Sequence, residues 1–442
     1  MAEDSKIQWT THTFNPFRGC SKVSAGCANC YAETLSKRNP GTLGMWGPKG
    51  TRVVASETTW KEPIRWNKKA GQAYDEWHTN GMDAGPPPER PRVFCASLAD
   101  VFEAWAGPMV DSDGAVLHEC SECGNWRPIE RMCHGPNAHR ALTMQDVRNR
   151  LFKLIDSTPH LDWLLLTKRP ENIARMMPKY VRTTPSENWF FDAEERKRRG
   201  LTHAGPHKST MSVSGVGVIR PNVWLGASVE DQKTAEERIP LLLQVPAAVR
   251  FLSMEPLLGP VDLSKYLRCP RVCEYCHASD FSTTTPEGWE LVWQSWLCGP
   301  CRTRASAEHG DDWLRKVRGG TYATIPDPRP WKGINWVIVG GESGPDARPM
   351  RIEWVRSIID QCKAASVPVF MKQLGEVPST TLPDGETWPG HSGPSSPVGF
   401  SGNGFGDYYV TGLKDKKGGD PAEWPAPLRV REFPTPTNTE KR

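Results

Sequence analysis

Apolar residues in this chain gather in short unbroken runs, not in strict alternation with polar ones. The runs are RVFCA at 92–96, WLLLT at 163–167, VWLG at 223–226, VRFLS at 249–253, WVIVG at 336–340 and VPVFM at 367–371. A run that is apolar on both faces predicts a strand covered on both sides, as in a parallel sheet. Between the runs lie amphipathic stretches such as 144–156 and 352–365, which predict helices. Strand–helix–strand alternation predicts an α/β fold with a parallel sheet or barrel.

Each run gives way to polar residues. The strands lead into Ser97 and Asp100, Lys168 and Arg169, Ser228 and Glu230, Glu255, Glu342 and Ser343, and Lys372 and Gln373. The C-terminal strand ends of a parallel barrel are where ligands bind and chemistry happens. Any one of these residues alone reads equally well as a helix cap; their recurrence at every strand end favours a rim. From position alone, Lys168 and Glu255 are the candidate catalytic residues. Ser97, Asp100, Ser228 and Glu230 are candidates for cofactor or substrate contacts.

Four stretches break the rhythm: 111–140 and 268–330, each with its own cysteine group; 182–220, rich in Lys, Arg, Gly and Ser; and the Gly-, Pro- and Ser-rich region from 377, expected to be irregular from 378 to 402. The expected organisation is therefore an N-terminal barrel part (1–110), a first insertion (111–140), a middle barrel part (141–267) holding a flexible insertion at 182–220, a second insertion (268–330), a C-terminal barrel part (331–376) and a tail (377–442).

Composition narrows the class without choosing a function. No apolar run approaches the roughly 20 residues of a membrane helix, and MAEDSKIQW shows no apolar leader; a cytoplasmic protein with no membrane association is expected. The net charge of +4, from 55 basic and 51 acidic residues, permits nucleic-acid binding but does not argue for it. Thirteen cysteines, mostly in CxxC pairs, point to metal and away from a disulfide scaffold.

Three groups have metal-ligand spacing. Cys20, Cys27 and Cys30 stand in GCSKVSAGCANC. Three thiolates on one loop suit three irons of a [4Fe–4S] cluster whose fourth iron stays open; the alternative is zinc completed by His12 or a distant cysteine. Cys273, Cys276, Cys298 and Cys301 form two CxxC pairs with 21 residues between them, the spacing of a zinc ribbon, with Cys269 and His277 as spare neighbours. Cys120, Cys123 and Cys133 form a third group, completed by His139 or His134, with His118 competing. Structural zinc is expected in both insertions, since small insertions without a core draw folding free energy from metal. Cys95 and Cys362 lie in apolar surroundings and read as core.

The segment WTTHTFNPFRGCSKVSAGCANCYAE resembles the signature of phage- and prophage-encoded three-Cys-motif proteins, a radical S-adenosylmethionine (SAM)-like family distantly similar to spore photoproduct lyase. The likeness continues through LLLTKRPENIARMMP, NVWLGASVEDQ, RFLSMEPLLGPVDL, INWVIVGGESGPDARPM, VPVFMKQLGE and KGGDPAEWPAPLRVREFP. The resemblance implies a partial TIM-like parallel β/α barrel, with a [4Fe–4S] cluster on Cys20, Cys27 and Cys30 and SAM as its fourth ligand. Gly340, Gly341 and Glu342 resemble the Gly-Gly-Glu element that binds the SAM amino group in such enzymes, although here it follows a late strand. The cysteine spacing departs from the common Cys-x3-Cys-x2-Cys, and Asn29 stands where an aromatic residue often precedes the third cysteine.

The function expected from this is hydrogen abstraction from a nucleic-acid base, as in modification of a thymine-derived base or repair of a photoproduct, served by an external electron donor. Cys95 and Tyr31 are possible hydrogen donors. The tryptophans and the Lys/Arg-rich region 195–220 suit stacking and phosphate contacts. Two readings compete: a zinc-stabilised adaptor without radical chemistry, and radical SAM modification of a peptide or of a neighbouring phage-encoded partner protein.

Overall fold

The computed structural model describes residues 3, 5–80, 85–131, 138–178, 219–267, 271–272, 279–280, 290–292, 295–297, 333–380, 399–402 and 408–434. The zinc-ribbon cysteines Cys273, Cys276, Cys298 and Cys301, together with Cys133, His134 and all but the last two residues of 182–220, lie outside them.

Seven strands form one sheet in which every neighbouring pair is parallel: β1 (His12–Phe14), β2 (Arg92–Cys95), β3 (Asp162–Thr167), β4 (Val223–Ser228), β5 (Val249–Met254), β6 (Trp336–Gly340) and β7 (Val369–Gln373). Spatial order equals chain order, so each connection steps to the next strand, as in an open, half-closed β/α barrel. The six apolar runs are β2 to β7. The first strand, HTF, is too short and too polar to announce itself.

Five helices matter to the site: α1 (Tyr31–Arg38), α2 (Glu57–Thr79), α3 (Met144–Asp156), α4 (Gln232–Leu243) and α5 (Ile352–Ala364). Thr143 opens α3 and Asp231 opens α4, each through a reciprocal capping box that satisfies backbone N–H groups left orphaned at a helix start. The helices cover one face of the sheet. Val147, Leu151 and Ile155 of α3, Ala235 and Ile239 of α4, and Val355 and Ile359 of α5 share a cluster with Val93, Cys95, Leu165, Leu225, Val337 and Val339.

Because side chains alternate along a strand, the intervening residues fill the concave face. Phe94, Leu164, Trp224, Phe251, Ile338, Trp336 and Phe370 form a second cluster with Trp9. Trp336 is its centre, with ring centroids of Trp9, Trp224, Phe251 and Phe370 5.9–6.3 Å away. Each of these large rings, once buried, contributes roughly 1.5–3 kcal/mol, so the barrel interior is a filled core and not a channel. Gly226 makes room for it: a Cβ there would stand 2.4 Å from the Phe251 ring.

The C-terminal tail closes the open edge beside β7. Met371 N–H donates to Val430 and Glu432 N–H to Val369, while Phe433 packs on Trp336 and Phe370. Part of the region expected to be irregular is strand: Pro378–Thr380, Gly399–Gly402 and Tyr408–Thr411 join Met350–Arg351 in a four-stranded sheet. Among the described residues, no helix is long and apolar enough to cross a membrane.

Candidate metal centre and active site

The cysteine loop leaves β1 at Asn15 and ends at Cys30, the N-cap of α1. Gly19, with φ of +110° and its N–H on the Leu98 carbonyl, turns the chain across the strand ends. From there the loop is fastened to four of them. Beyond β2, the Ser97 carbonyl accepts from the Tyr31 hydroxyl at 2.5 Å. Beyond β3, Arg169 Nη2 donates to the Ser21 carbonyl at 2.8 Å, and its Nη1 lies 3.6 Å from Cys20 Sγ. Beyond β4, Glu230 accepts from Ser24 Oγ at 3.1 Å. Beyond β6, Glu342 accepts from Asn29 Nδ2 at 3.2 Å. Gly26 presses so closely on Glu230 that a Cβ would come within 2.4 Å of its Oε1.

Under the loop lies a buried ionic network. Asp100 accepts from Thr167 Oγ1, Lys168 N–H, Arg169 Nη1 and Phe102 N–H. With those bonds it is a clamp between β2 and β3. Glu103 takes a two-pronged bond from Arg52 at 2.7 and 2.8 Å; Arg52 is fully buried, stacks 3.9 Å above the Trp105 ring and also reaches Ser21 Oγ. Paired geometry of this kind makes buried charge tolerable.

The remaining rim residues are likewise paired. Lys168 meets Glu230 at 3.1 Å, and Arg238 meets it from α4 at 2.9 Å. Burial would raise the Glu230 carboxyl, but these two cations hold it below the ordinary carboxylate range. Ser228 is buried and its carbonyl accepts from Arg238. Ser97 Oγ is bonded to Asn15. Glu255 pairs with Lys372 at 2.9 Å, and a Cβ on Gly340 would stand 2.9 Å from its Oε1. Glu342 accepts from Arg348 at its N–H, Nε and Nη2, besides Asn29. Arg348 in turn reaches the Ala25 carbonyl, so this carboxylate latches the cysteine loop. Gly341 is set by packing: a Cβ would come within 2.2 Å of the Leu374 carbonyl.

The three thiols differ in setting. Burial first, then the charges of Asp100 and Glu103, push Cys20 up to about 12 against the pull of Arg169. Cys20 thus keeps its proton until something displaces it, which is what metal coordination does. Cys27 Sγ lies 4.0 Å from Ser24 Oγ. Three soft donors on one loop, with a guanidinium at one of them, chemically suit a cluster of net negative charge. Among the described residues, however, no group of three or more His, Cys, Asp or Glu converges to hold a metal ion. His12 takes no part: it sits on the helix side, stacked 4.4 Å from Trp66, with Nδ1 bonded to the Glu3 carbonyl. Cys95, the last residue of β2, is fully buried against the helix layer, and Cys362 is buried in α5, both as core residues.

A cavity of about 720 Å³ opens beside the loop, walled by Ser21, Val23, Trp105, Lys168, Arg169 and Arg238 among others. In the first insertion, strands Leu117–Cys120, Trp126–Pro128 and His139–Ala141 form a small antiparallel sheet. Cys120 and His139 face each other across it. The turn Cys120–Gly124 is closed by a 2.8 Å bond from Gly124 N–H to the Cys120 carbonyl. Both ring nitrogens of His139 are buried without a hydrogen-bond partner among the described residues.

The residues that sequence reasoning missed are Ser24, Arg52, Glu103, Arg238 and Arg348. Ser24, Arg52 and Glu103 meet partners far off in sequence, whereas Arg238 and Arg348 meet Glu230 and Glu342 only eight and six positions away. Only the position of Arg238 on the inner face of α4 carried a signal.

Fold and site together define a parallel half-barrel protein with a three-cysteine loop fastened across its strand-end face. The chain belongs to a family described as a protein of unknown function, DUF5131, whose model matches residues 4–112 and 137–417. The unmatched stretch takes in Cys120, Cys123 and Cys133, so this cysteine group stands largely outside the family's shared body. No curated protein and no solved structure matches the chain.

Proposed function

We propose that this protein is a radical SAM enzyme that acts on a nucleic-acid base, with Cys20, Cys27 and Cys30 as ligands of a [4Fe–4S] cluster. The observation that carries this reading is the attachment of the cysteine loop to four strand ends of a parallel half-barrel, the face where such folds do chemistry. A [4Fe–4S] cluster held there by Cys20, Cys27 and Cys30 and reduced by an external donor would supply the electron for reductive cleavage of SAM, the chemistry that would permit hydrogen abstraction from the substrate. The chain's own part is to position and to exclude water. Arg169 and Arg52 hold the Cys20 end of the loop, Glu342 and Arg348 the Cys30 end, and the neighbouring cavity receives a ligand against Lys168.

The test is iron and zinc analysis of anaerobically reconstituted protein, with electron paramagnetic resonance and assay for 5′-deoxyadenosine. About four irons per chain and SAM-dependent release of 5′-deoxyadenosine are expected. The rival reading is a zinc-stabilised adaptor without radical chemistry. Zinc without iron, indifferent to SAM, would establish it.

A further inference from the structure

Between Ser21 and Gly50 the charged residues are Lys22, Lys37, Arg38 and Lys49 against one carboxylate, Glu33. Glu33 is spent between Lys22 at 2.8 Å and Lys37 at 3.2 Å. The segment folds as one lobe around the cysteine loop: Gly47 N–H bonds the Cys20 carbonyl, and Ser36 Oγ bonds the Gly44 carbonyl from α1.

Apolar surface is concentrated on the same lobe. Of the eight exposed large hydrophobic side chains among the described residues, Val23, Tyr31, Leu35 and Met45 lie here. On α1, Ala32 and Ser36 are buried, while Tyr31, Leu35 and Arg38 recur at helical spacing on the exposed side. Tyr31 directly follows Cys30. Its hydroxyl is pinned to the Ser97 carbonyl at the barrel rim, yet its surface stays 54% exposed. Of the acidic residues on the adjoining rim, Glu230 and Glu342 are each paired with an arginine and Glu255 with Lys372.

An exposed aromatic ring on a lobe of net positive charge is a surface suited to single-stranded nucleic acid: cations meet phosphates and the ring stacks on a base. We infer that the exposed face of α1, on the lobe that also carries Lys49, is the track along which a single-stranded nucleic acid approaches the cysteine loop. The inference rests on the proposed nucleic-acid substrate and locates its contact, by charge complementarity, on residues 21–50.

The test is fluorescence anisotropy of a labelled single-stranded oligodeoxynucleotide with the full chain, at several salt concentrations. It compares wild type, the double variant Arg38→Glu/Lys49→Glu, Tyr31→Ala and the control Lys233→Glu on α4, all checked for folding by circular dichroism. The double variant is expected to weaken binding at least about tenfold and to reduce the salt slope by about 0.7 for each cation lost. Tyr31→Ala is expected to weaken it about fivefold or more with the slope unchanged. Absence of binding by wild type, affinity of the double variant within about twofold of wild type, or an equal loss in Lys233→Glu overturns the inference. The assay uses neither SAM nor reductant. Binding through this face by a protein that holds zinc alone would therefore sink the radical reading and leave the inference standing.

Discussion

Arg169 and Cys20 meet across the barrel rim, with Nη1 3.6 Å from Sγ, while the same guanidinium holds Asp100 at 2.9 Å. One side chain thus joins β3, the clamp at the end of β2 and the first cysteine. Removing it leaves Asp100 without its cation and Glu103 with only Arg52. Arg169→Gln is expected to destabilise the protein by about 3 kcal/mol, and Arg169→Lys by less. Urea denaturation measures both. Equal stability of wild type and Arg169→Gln would show that the network does not hold the fold.

Glu342 is expected to act as a latch. In Glu342→Ala, Asn29 and Arg348 lose the carboxylate that joins them and keep only the Asp346 and Ala25 carbonyls, so amide hydrogen exchange across residues 24–30 should quicken roughly tenfold or more, with α5 unchanged. If Glu342 served only a ligand, exchange in the ligand-free protein would not move.

Much of the fold was legible because a parallel barrel writes its strands as continuous apolar runs. Each of the six runs is a strand of the sheet, and α3 and α5 lie where amphipathic spacing put them. β1 was hidden because three residues cannot display a pattern. The rim was legible as a set of positions and not as a network. Lys168, Glu230 and Asp100 were found from strand-end position. Nothing in RVV at 52–54 shows that Arg52 would be buried against Glu103, 51 positions on. The tail from 378 reads as loop because its strands are short and broken by Gly and Pro, and they pair only with each other and with Met350–Arg351.

Gly226 is a packing residue. Gly226→Ala is expected to cost about 1–3 kcal/mol through the clash with Phe251, and less when combined with Phe251→Leu. A double-mutant cycle that shows simple additivity would contradict the contact.

Asp146 makes stability depend on acid. Burial would raise its carboxyl, but bonds from Arg140 and Thr143 hold it at about 2, below the roughly 3.9 of an unfolded aspartate. A carboxyl depressed on folding stabilises above the unfolded value and loses that contribution as pH falls through the folded one. Stability should therefore drop between about pH 4 and pH 2. Asp146→Asn should remove on the order of 1 kcal/mol at neutral pH, because the site is partly exposed, and should flatten that slope. Thermal unfolding at about pH 5 and pH 3, wild type beside variant, checks both.

The central claim is the chemistry at the cysteine loop, and it is met most directly by electron paramagnetic resonance of the reduced, reconstituted protein with and without SAM, wild type beside Cys27→Ala. A cluster signal that SAM shifts in wild type, and that Cys27→Ala loses, is the predicted result. A protein that takes up zinc but no iron, with no response to SAM, would contradict it.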